Sequence, residues 1–291
     1  MRVAIHGRKF DEDTQPYIAE VFSELDKIKS RVLISEKFYK NVKQAGIING
    51  DVEVYSSEED LKEADFFISL GGDGTLLETV TYIGAKEIPI LGINTGRLGF
   101  LATTQKTNIA PAIEALANNY YQTESRSLVK LESDQGIFGN KAYALNEFAI
   151  LKKDTSAMIV VHTYIDGEYL NSYWSDGLIV STPTGSTGYS LSCGGPVVLP
   201  TSNNFIITPI SPHNLNVRPM IVSDESVISF EIEGRSNNFL VSLDSRSCTV
   251  DASVQMAVKK ESFKVKLVKL NGYNFLDTLR QKLNWGLDLR N

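Results

Sequence analysis

The chain has 291 residues, 42% hydrophobic and 22% charged, with 29 basic against 35 acidic side chains and a net charge of −6. This composition supports a packed core and excludes a disordered chain, and the length sets an expectation of two domains. The acidic balance leaves no basic footprint for nucleic acid or anionic lipid, so neither nucleic acid nor a membrane is an expected partner.

The start, MRVAIHGRKFDED, turns polar after a few apolar residues and does not read as a secretory leader. Cys193 and Cys248 are the only cysteines and form no CxxC, which fits reduced thiols in a cytoplasmic protein. Along the first hundred residues strand and helix signals alternate. Arg2 to Ile5 reads as a strand, and Tyr17, Val21, Leu25 and Ile28 fall at helical spacing within Thr14 to Lys29. Val32 to Ile34 reads as strand, Glu36 to Gln44 as helix and Val52 to Tyr55 as strand. Phe66 to Leu70 is a continuous apolar run of the kind buried on both faces; Thr75 to Ile83 is helical and Ile88 to Ile93 a strand. After a helix near Ile109 to Leu116 the signals become short strands: Ala142 to Leu151, Met158 to Ile165, Val227 to Ile232, Phe239 to Leu243 and Phe263 to Leu270. Asp166-Gly167 between two of them is a hairpin signal. Near the end, Phe275, Leu276, Leu279 and Leu283 return to helical spacing.

The fold class expected is an α/β N-terminal domain with a mostly parallel sheet, plus an all-β, antiparallel, sandwich-like C-terminal domain. The boundaries expected are 1–120 for the first and 121–271 for the second, with a C-terminal helix in 272–291 packing back on the N-terminal domain. Tyr120-Tyr121 reads as a packing pair at the junction, and Lys152-Lys153-Asp154 as a solvated turn.

Two segments carry chemistry. Leu70-Gly71-Gly72-Asp73-Gly74-Thr75 joins a buried strand to a helix, where glycines let main-chain N–H groups approach an anion and the helix start favours phosphate. A carboxylate inside such a cradle would repel the ligand unless Asp73 takes a proton from an attacking hydroxyl or helps hold a metal. The bland alternative is a tight turn with Asp73 capping the helix. The second segment runs from Asp176 to Pro196 and opens a span, Gly177 to Val217, without any Asp, Glu, Lys or Arg. Its hydroxyl-bearing residues interleaved with glycines suit a ligand with amide, ribose and adenine groups, and leave phosphate charge to be handled elsewhere.

Together with Gly92 to Phe100 (GINTGRLGF), Leu145-Asn146-Glu147 and Ser211-Pro212-His213, these motifs resemble the bacterial NAD kinases over essentially the whole chain. GGDGT alone is shared with lipid and phosphofructo-kinases; SDGLIVSTPTGSTGYSLSCGGP, from Ser175 to Pro196, carries the likeness. The resemblance implies transfer of the γ-phosphoryl group of ATP to the 2′-hydroxyl of the adenosine ribose of NAD, making NADP, with Mg²⁺ or another divalent cation as cofactor. It implies Asp73 as general base and Gly72, Gly74, Thr75, Asn94 and Phe100 as nucleotide-binding positions. Asn146 and Glu147 fall on the family's binding pair for adenine and ribose, Asp176 on a contact to the dinucleotide. Thr187, Gly188, Tyr189, Ser190, Leu191 and Ser192 match the loop wrapping it. It further implies a homo-oligomer, dimer or tetramer, with NAD and ATP as small-molecule partners.

Where relatives carry a basic residue two positions before Asp176, this chain has Trp174, and after Leu243-Asp244-Ser245 it has Arg246. The expectation is that Arg246 supplies the charge that Trp174 cannot. Two competing readings stand beside this one. A lipid kinase is disfavoured by the hydroxyl-rich loop, and a non-catalytic NADP(H) sensor by retention of Asp73. The residues do not separate NAD from NADH, nor ATP from polyphosphate.

Overall fold

The computed structural model describes residues 1–48, 52–61, 63–153 and 157–286; Asp154 of the expected solvated turn and residues 287–291 of the expected C-terminal segment lie outside them. By internal contacts the chain divides into two compact units, Met1–Ser125 with Val265–Asn291, and Arg126–Lys264.

In the first unit, β1 (Arg2–Gly7), α1 (Gln15–Lys27), β2 (Arg31–Ser35), α2 (Glu36–Gln44) and β3 (Glu53–Tyr55) are followed by β4 (Phe66–Leu70), α3 (Asp73–Ile83), β5 (Ile90–Asn94), β6 (Thr104–Gln105), α4 (Ile109–Ala117) and β7 (Tyr121–Arg126). Local chemistry sets several of these boundaries. Pro16 lies in the first turn of α1, where a missing N–H costs nothing. The Ser35 hydroxyl caps α2 by accepting from Phe38 N at 3.4 Å. β4 and β5 are buried at every position, as a strand covered on both faces must be. The sheet runs β3-β2-β1-β4-β5, continues through the strand Val265–Leu270 to β7, and has β6 paired to β5.

The strand at Val265–Leu270 corrects an expectation. Its apolar alternation resembles the antiparallel strands before it, but it pairs in parallel with β5, Leu267 opposite Ile90. Phe263 lies outside the strand, in the other unit. The C-terminal helix (Phe275–Leu283) belongs to the first unit as well. The core between sheet and helices gathers Val3, Ile5, Val21, Phe38, Ile68 and Leu91; each such side chain contributes about 1.5–3 kcal/mol by leaving water. Tyr121 packs edge-on against Phe66, while Tyr120 stands 69% exposed and does not pack as expected.

The second unit holds β8 (Val129–Ser133), β9 (Tyr143–Ala144), β10 (Glu147–Lys152), β11 (Ile159–Ile165), β12 (Glu168–Ser175), β13 (Gly177–Ser181), the short helix α5 (Tyr189–Ser192), β14 (Asn204–Ile210), β15 (Met220–Ser223), β16 (Ile228–Glu233), β17 (Asn238–Leu243), β18 (Arg246–Asp251) and β19 (Met256–Lys260). They form two antiparallel sheets, β15-β14-β13-β10-β17-β18 and β12-β11-β16-β19-β8-β9. One apolar cluster draws residues from both sheets, with Phe148 of β10 stacked on Phe230 of β16 at 5.4 Å, so the unit is a sandwich. Asp166 and Gly167 have φ of +52° and +84°, the left-handed pair that a two-residue hairpin demands.

Candidate functional site

The strand order of the first unit fixes where a ligand can sit. The sheet grows from β1 toward β2 on one side and toward β4 on the other, so the crevice beyond the carboxyl ends of β1 and β4 is its switch point. Gly71 and Gly72 end β4 there, with Gly71 at φ +149° and an added Cβ 2.3 Å from the Thr75 hydroxyl. No atom stands within 4 Å of a Cβ at Gly72, which leaves the main chain open to a ligand. Thr75 is buried one turn into α3.

Asp73 is the first residue of α3 and makes no cap hydrogen bond, contrary to the capping alternative. Its carboxylate reaches instead to the segment after β5. Oδ2 accepts from Phe100 N at 2.8 Å, and Oδ1 accepts from Leu101 N and Ala102 N, each at 3.0 Å. A Cβ on Gly99 would stand 1.9 Å from Oδ1, so only glycine admits the carboxylate. Asn94 shapes the same segment. Its amide donates to Arg97 O at 2.6 Å and Ala102 O at 3.3 Å, and its Oδ1 accepts from Gly96 N at 2.7 Å. Asn94 thus acts on the loop from inside, being 2% exposed. Lys282 of the C-terminal helix places Nζ 3.9 Å from Asp73 Oδ2 and 5.0 Å above the Phe100 ring. Phe275 of that helix lies 6.2 Å from Phe100.

A charged cluster flanks α3. Glu78 accepts from Arg8 and Lys37, each at 3.1 Å, and stands 3.5 Å from His6 Nε2; Arg8 also donates to Gly74 O at 3.1 Å. Although burial alone would raise it, these cations hold the Glu78 carboxyl below its usual range. A cavity of about 650 Å³, lined by Leu98, Thr104, Pro111, Tyr120, Tyr273 and Asp277, contains none of the expected site residues.

In the second unit the strand expected over Ala142 to Leu151 breaks at Leu145-Asn146, between β9 and β10. Thr182 N donates to Asn146 O at 2.9 Å, the Thr182 hydroxyl donates to Leu145 O at 2.5 Å, and Gly185 N donates to that hydroxyl at 3.2 Å. Gly185 lies flat on the break, where a Cβ would come 2.1 Å from Asn146 O. Beyond it, a Cβ on Gly188 would stand 3.1 Å from Glu147 Oε2 and 3.7 Å from Asn146 Nδ2. Asn146 and Glu147 therefore converge beside Gly188, and each keeps a buried oxygen, Oδ1 and Oε2, without a hydrogen-bond partner. Burial first, and the Asp244 carboxylate second, push the Glu147 carboxyl up to about 8 against the pull of the Tyr189 N–H.

Several hydroxyls of the hydroxyl-rich loop are engaged within the fold. Ser190 shares a hydrogen bond with Thr208 at 2.8 Å, and Ser186 accepts from Val198 N at 3.0 Å while donating to its carbonyl. Thr187 bonds back to Thr184 O at 3.4 Å. These hydroxyls satisfy main-chain and neighbouring groups that a sharp buried turn would otherwise strand. Tyr189 and Ser192 are the exposed residues of this stretch, while Thr187, Gly188 and Leu191 are partly buried. Asp176 forms an ion pair with Lys152 at 2.5 Å, so Lys152 is held by Asp176 rather than free in a solvated turn. Arg246 donates to the carbonyls of Lys141 and Tyr143. Sequence reasoning gave no role at the site to Gly99, Lys152 or Asp244, although Gly99 and Asp244 stood inside the motifs it named.

Comparison with known proteins bears on the family and the fold. Residues 3–121 match the family model for the ATP-NAD kinase N-terminal domain, and residues 145–270 that for the ATP-NAD kinase C-terminal domain. The chain is 56% identical to an NAD kinase of Cytophaga hutchinsonii, covering 100% of both chains. It resembles the crystal structure of an NAD kinase from Archaeoglobus fulgidus in complex with ATP, at TM-score 0.75 and 29% identity, over 98% of this chain and 99% of that one. A yeast NADH kinase complexed with NADH shares the fold, at TM-score 0.88 and 23% identity over 100% of this chain and 89% of that one. By both matched models and by identity over its full length, the chain belongs to the ATP-NAD kinase family, which phosphorylates NAD to NADP.

Proposed function

We propose that Asp73 is the general base of the NAD kinase reaction, and the observation that carries this is its carboxylate pinned by three main-chain amides at the switch point. A carboxylate has about four lone-pair sites, so a free one remains for a substrate hydroxyl while the amides hold the group still. In the reaction the 2′-hydroxyl oxygen of NAD forms a bond to the γ-phosphorus of ATP. The bond from that phosphorus to the β,γ-bridging oxygen breaks, the hydroxyl proton passes to Asp73, and ADP leaves. Positioning and charge neutralisation supply most of the catalysis of such a transfer.

Gly72, Gly74, Thr75, Asn94 and Phe100 form and surround the loop at the start of α3, and Asn146, Glu147, Asp176 and the Thr187–Ser192 segment bind the dinucleotide. The ATP complex of the archaeal relative supports ATP as donor, and the family supports NAD as acceptor. Among the described residues no cluster of three or more His, Cys, Asp or Glu side chains could hold a metal. A divalent cation such as Mg²⁺ would need only one or two protein carboxylates beside the substrate phosphates, and it would supply charge neutralisation at the transferring group.

A homo-oligomer, dimer or tetramer, is supported by the edge strand β15, where Met220 and Ile221 are exposed, and by Trp174 and Leu215, also exposed. Among the described residues no helix is long and apolar enough to cross a membrane, and two free cysteines support a cytoplasmic setting. The test is Asp73→Asn. NADP formation should fall by about 10²- to 10⁴-fold while calorimetry shows NAD still binding; full activity in this variant refutes the assignment.

A further inference from the structure

The turn that presents Asn146 and Glu147 is held from outside by a residue of another hairpin. Asp244 sits at the tip between β17 and β18 with φ +53°, a left-handed conformation that Asp tolerates better than most residues. Its Oδ2 accepts from Leu145 N at 2.9 Å, and its Oδ1 accepts from Asn146 N at 2.8 Å and Glu147 N at 3.2 Å. Asp244 N in turn donates to Glu147 O at 3.0 Å. One side chain thus satisfies three consecutive amides at a break where no strand partner can.

The cost of this arrangement is a buried anion. Arg246, on the same hairpin, is the cation acting on Asp244, and its guanidinium already serves the carbonyls of Lys141 and Tyr143. An anion in such a place needs a reason beyond joining two turns. The reason lies in what the clamped segment carries: Asn146 Oδ1 and Glu147 Oε2 are buried and unpartnered, and Glu147 Oε2 and Asn146 Nδ2 lie beside Gly188. Two acceptors left open in this way fit donors that arrive with a ligand, such as an exocyclic amine and a ribose hydroxyl.

We propose that Asp244 is a positioning residue of the dinucleotide site, clamping Leu145–Glu147 so that Asn146 and Glu147 present their open oxygens to NAD. The proposal rests on the NAD kinase reading and on Asn146 and Glu147 as its binding pair. It has an electrostatic consequence. Glu147 faces Asp244 from the β17–β18 hairpin, the Tyr189 N–H and phenol from α5, and Arg246 beyond Asp244. Burial and Asp244 together raise the Glu147 carboxyl, so its carboxylate form is lost as pH falls below about 8. The carboxylate is the stronger acceptor for a ribose hydroxyl. Affinity for NAD should therefore weaken toward acid pH, and removing the Asp244 charge should carry that limb to lower pH.

The experiment compares the full-length wild type, Asp244→Asn and Glu147→Gln in steady-state NADP formation with Mg²⁺–ATP, from pH 6 to 9. In Asp244→Asn the remaining oxygen can still accept from Asn146 and Glu147, but an amide now opposes Leu145 N–H. KM for NAD should rise about tenfold with kcat and KM for ATP little changed. The acid limb of kcat/KM for NAD, which reports the free enzyme, should shift to lower pH. Glu147→Gln leaves the clamp intact and should abolish that limb, which keeps the proposal testable if Asp244→Asn does not fold. A lowered melting temperature with unchanged KM and an unmoved limb overturns the proposal, as does a limb that survives in Glu147→Gln. Absence of NADP formation by the wild type would instead sink the NAD kinase reading, a separate failure.

Discussion

At the residue scale, the decisive contact joins a side chain to main chain that lies far along the sequence. Asp73 was legible because glycines on both sides of a carboxylate at a strand end have few structural uses. The amides of Phe100, Leu101 and Ala102 that receive it were not, since main-chain donors leave no trace in residue type. Gly99 was visible only as part of a motif, and its reason appears when Asp73 Oδ1 is found 1.9 Å from where a Cβ would be. No real Cβ tolerates that approach, so Gly99→Ala must push the carboxylate or the loop aside. A displacement on the order of 1 Å at a reacting group costs about 10²-fold in rate. Gly99→Ala should therefore lose about that factor in kcat while circular dichroism shows an intact fold. Wild-type turnover in this variant would show that the Asp73 seat is not needed for the reaction.

At the scale of elements, the periodicities placed α2 at Glu36–Gln44 and most strands to within a few residues. They failed where a single strand signal, Ala142 to Leu151, was cut by tertiary contacts from Thr182, Gly185 and Asp244. The bonds of Ser186 to Val198 and of Ser190 to Thr208 were not legible either, because composition cannot tell a hydroxyl offered to a ligand from one used within the fold. The junction of β1, β2 and α3 gives a pH-dependent prediction. His6 lies one residue before the end of β1 with 1% exposure, Nδ1 2.8 Å from the Ser35 hydroxyl and Nε2 3.5 Å from Glu78. Lys37 and Arg8 also act on it. Burial lowers its pKa from 6.5, with Glu78 opposing. The unfolded chain then binds more protons than the folded one at mildly acid pH, so stability is full above about 6.5 and falls as pH drops through the lowered value. Chemical denaturation at pH 7.5 and 5.5 should show this loss in the wild type, and His6→Gln should show less of it. An equal loss in both proteins would place the acid sensitivity elsewhere.

At the scale of the whole molecule, alternating signals followed by short strands were enough for an α/β unit and an antiparallel sandwich. The strand at Val265–Leu270 was misassigned because its partner, β5, lies far back in the chain and nothing local in its pattern says so. Association also belongs to this scale. β15 is the edge of its sheet, and it reads Met220-Ile221-Val222-Ser223, without the Lys, Pro or inward charge by which solitary edges avoid pairing. Ile221 is 50% exposed, and Leu215 in the preceding segment is 86% exposed. An apolar edge of this kind is suited to a second copy of the chain, since most soluble oligomers are symmetric assemblies of one chain. Light scattering on a sizing column should give a dimer or tetramer at micromolar concentration. Ile221→Lys should shift the protein toward the monomer, because a charge on the edge must be desolvated when the edge is covered. The melting temperature of the dissociated form should change little, as an exposed position contributes within about 0.5 kcal/mol. A wild-type protein that elutes as a fully active monomer would overturn the oligomer, and an Ile221→Lys protein of unchanged size would move the interface away from β15.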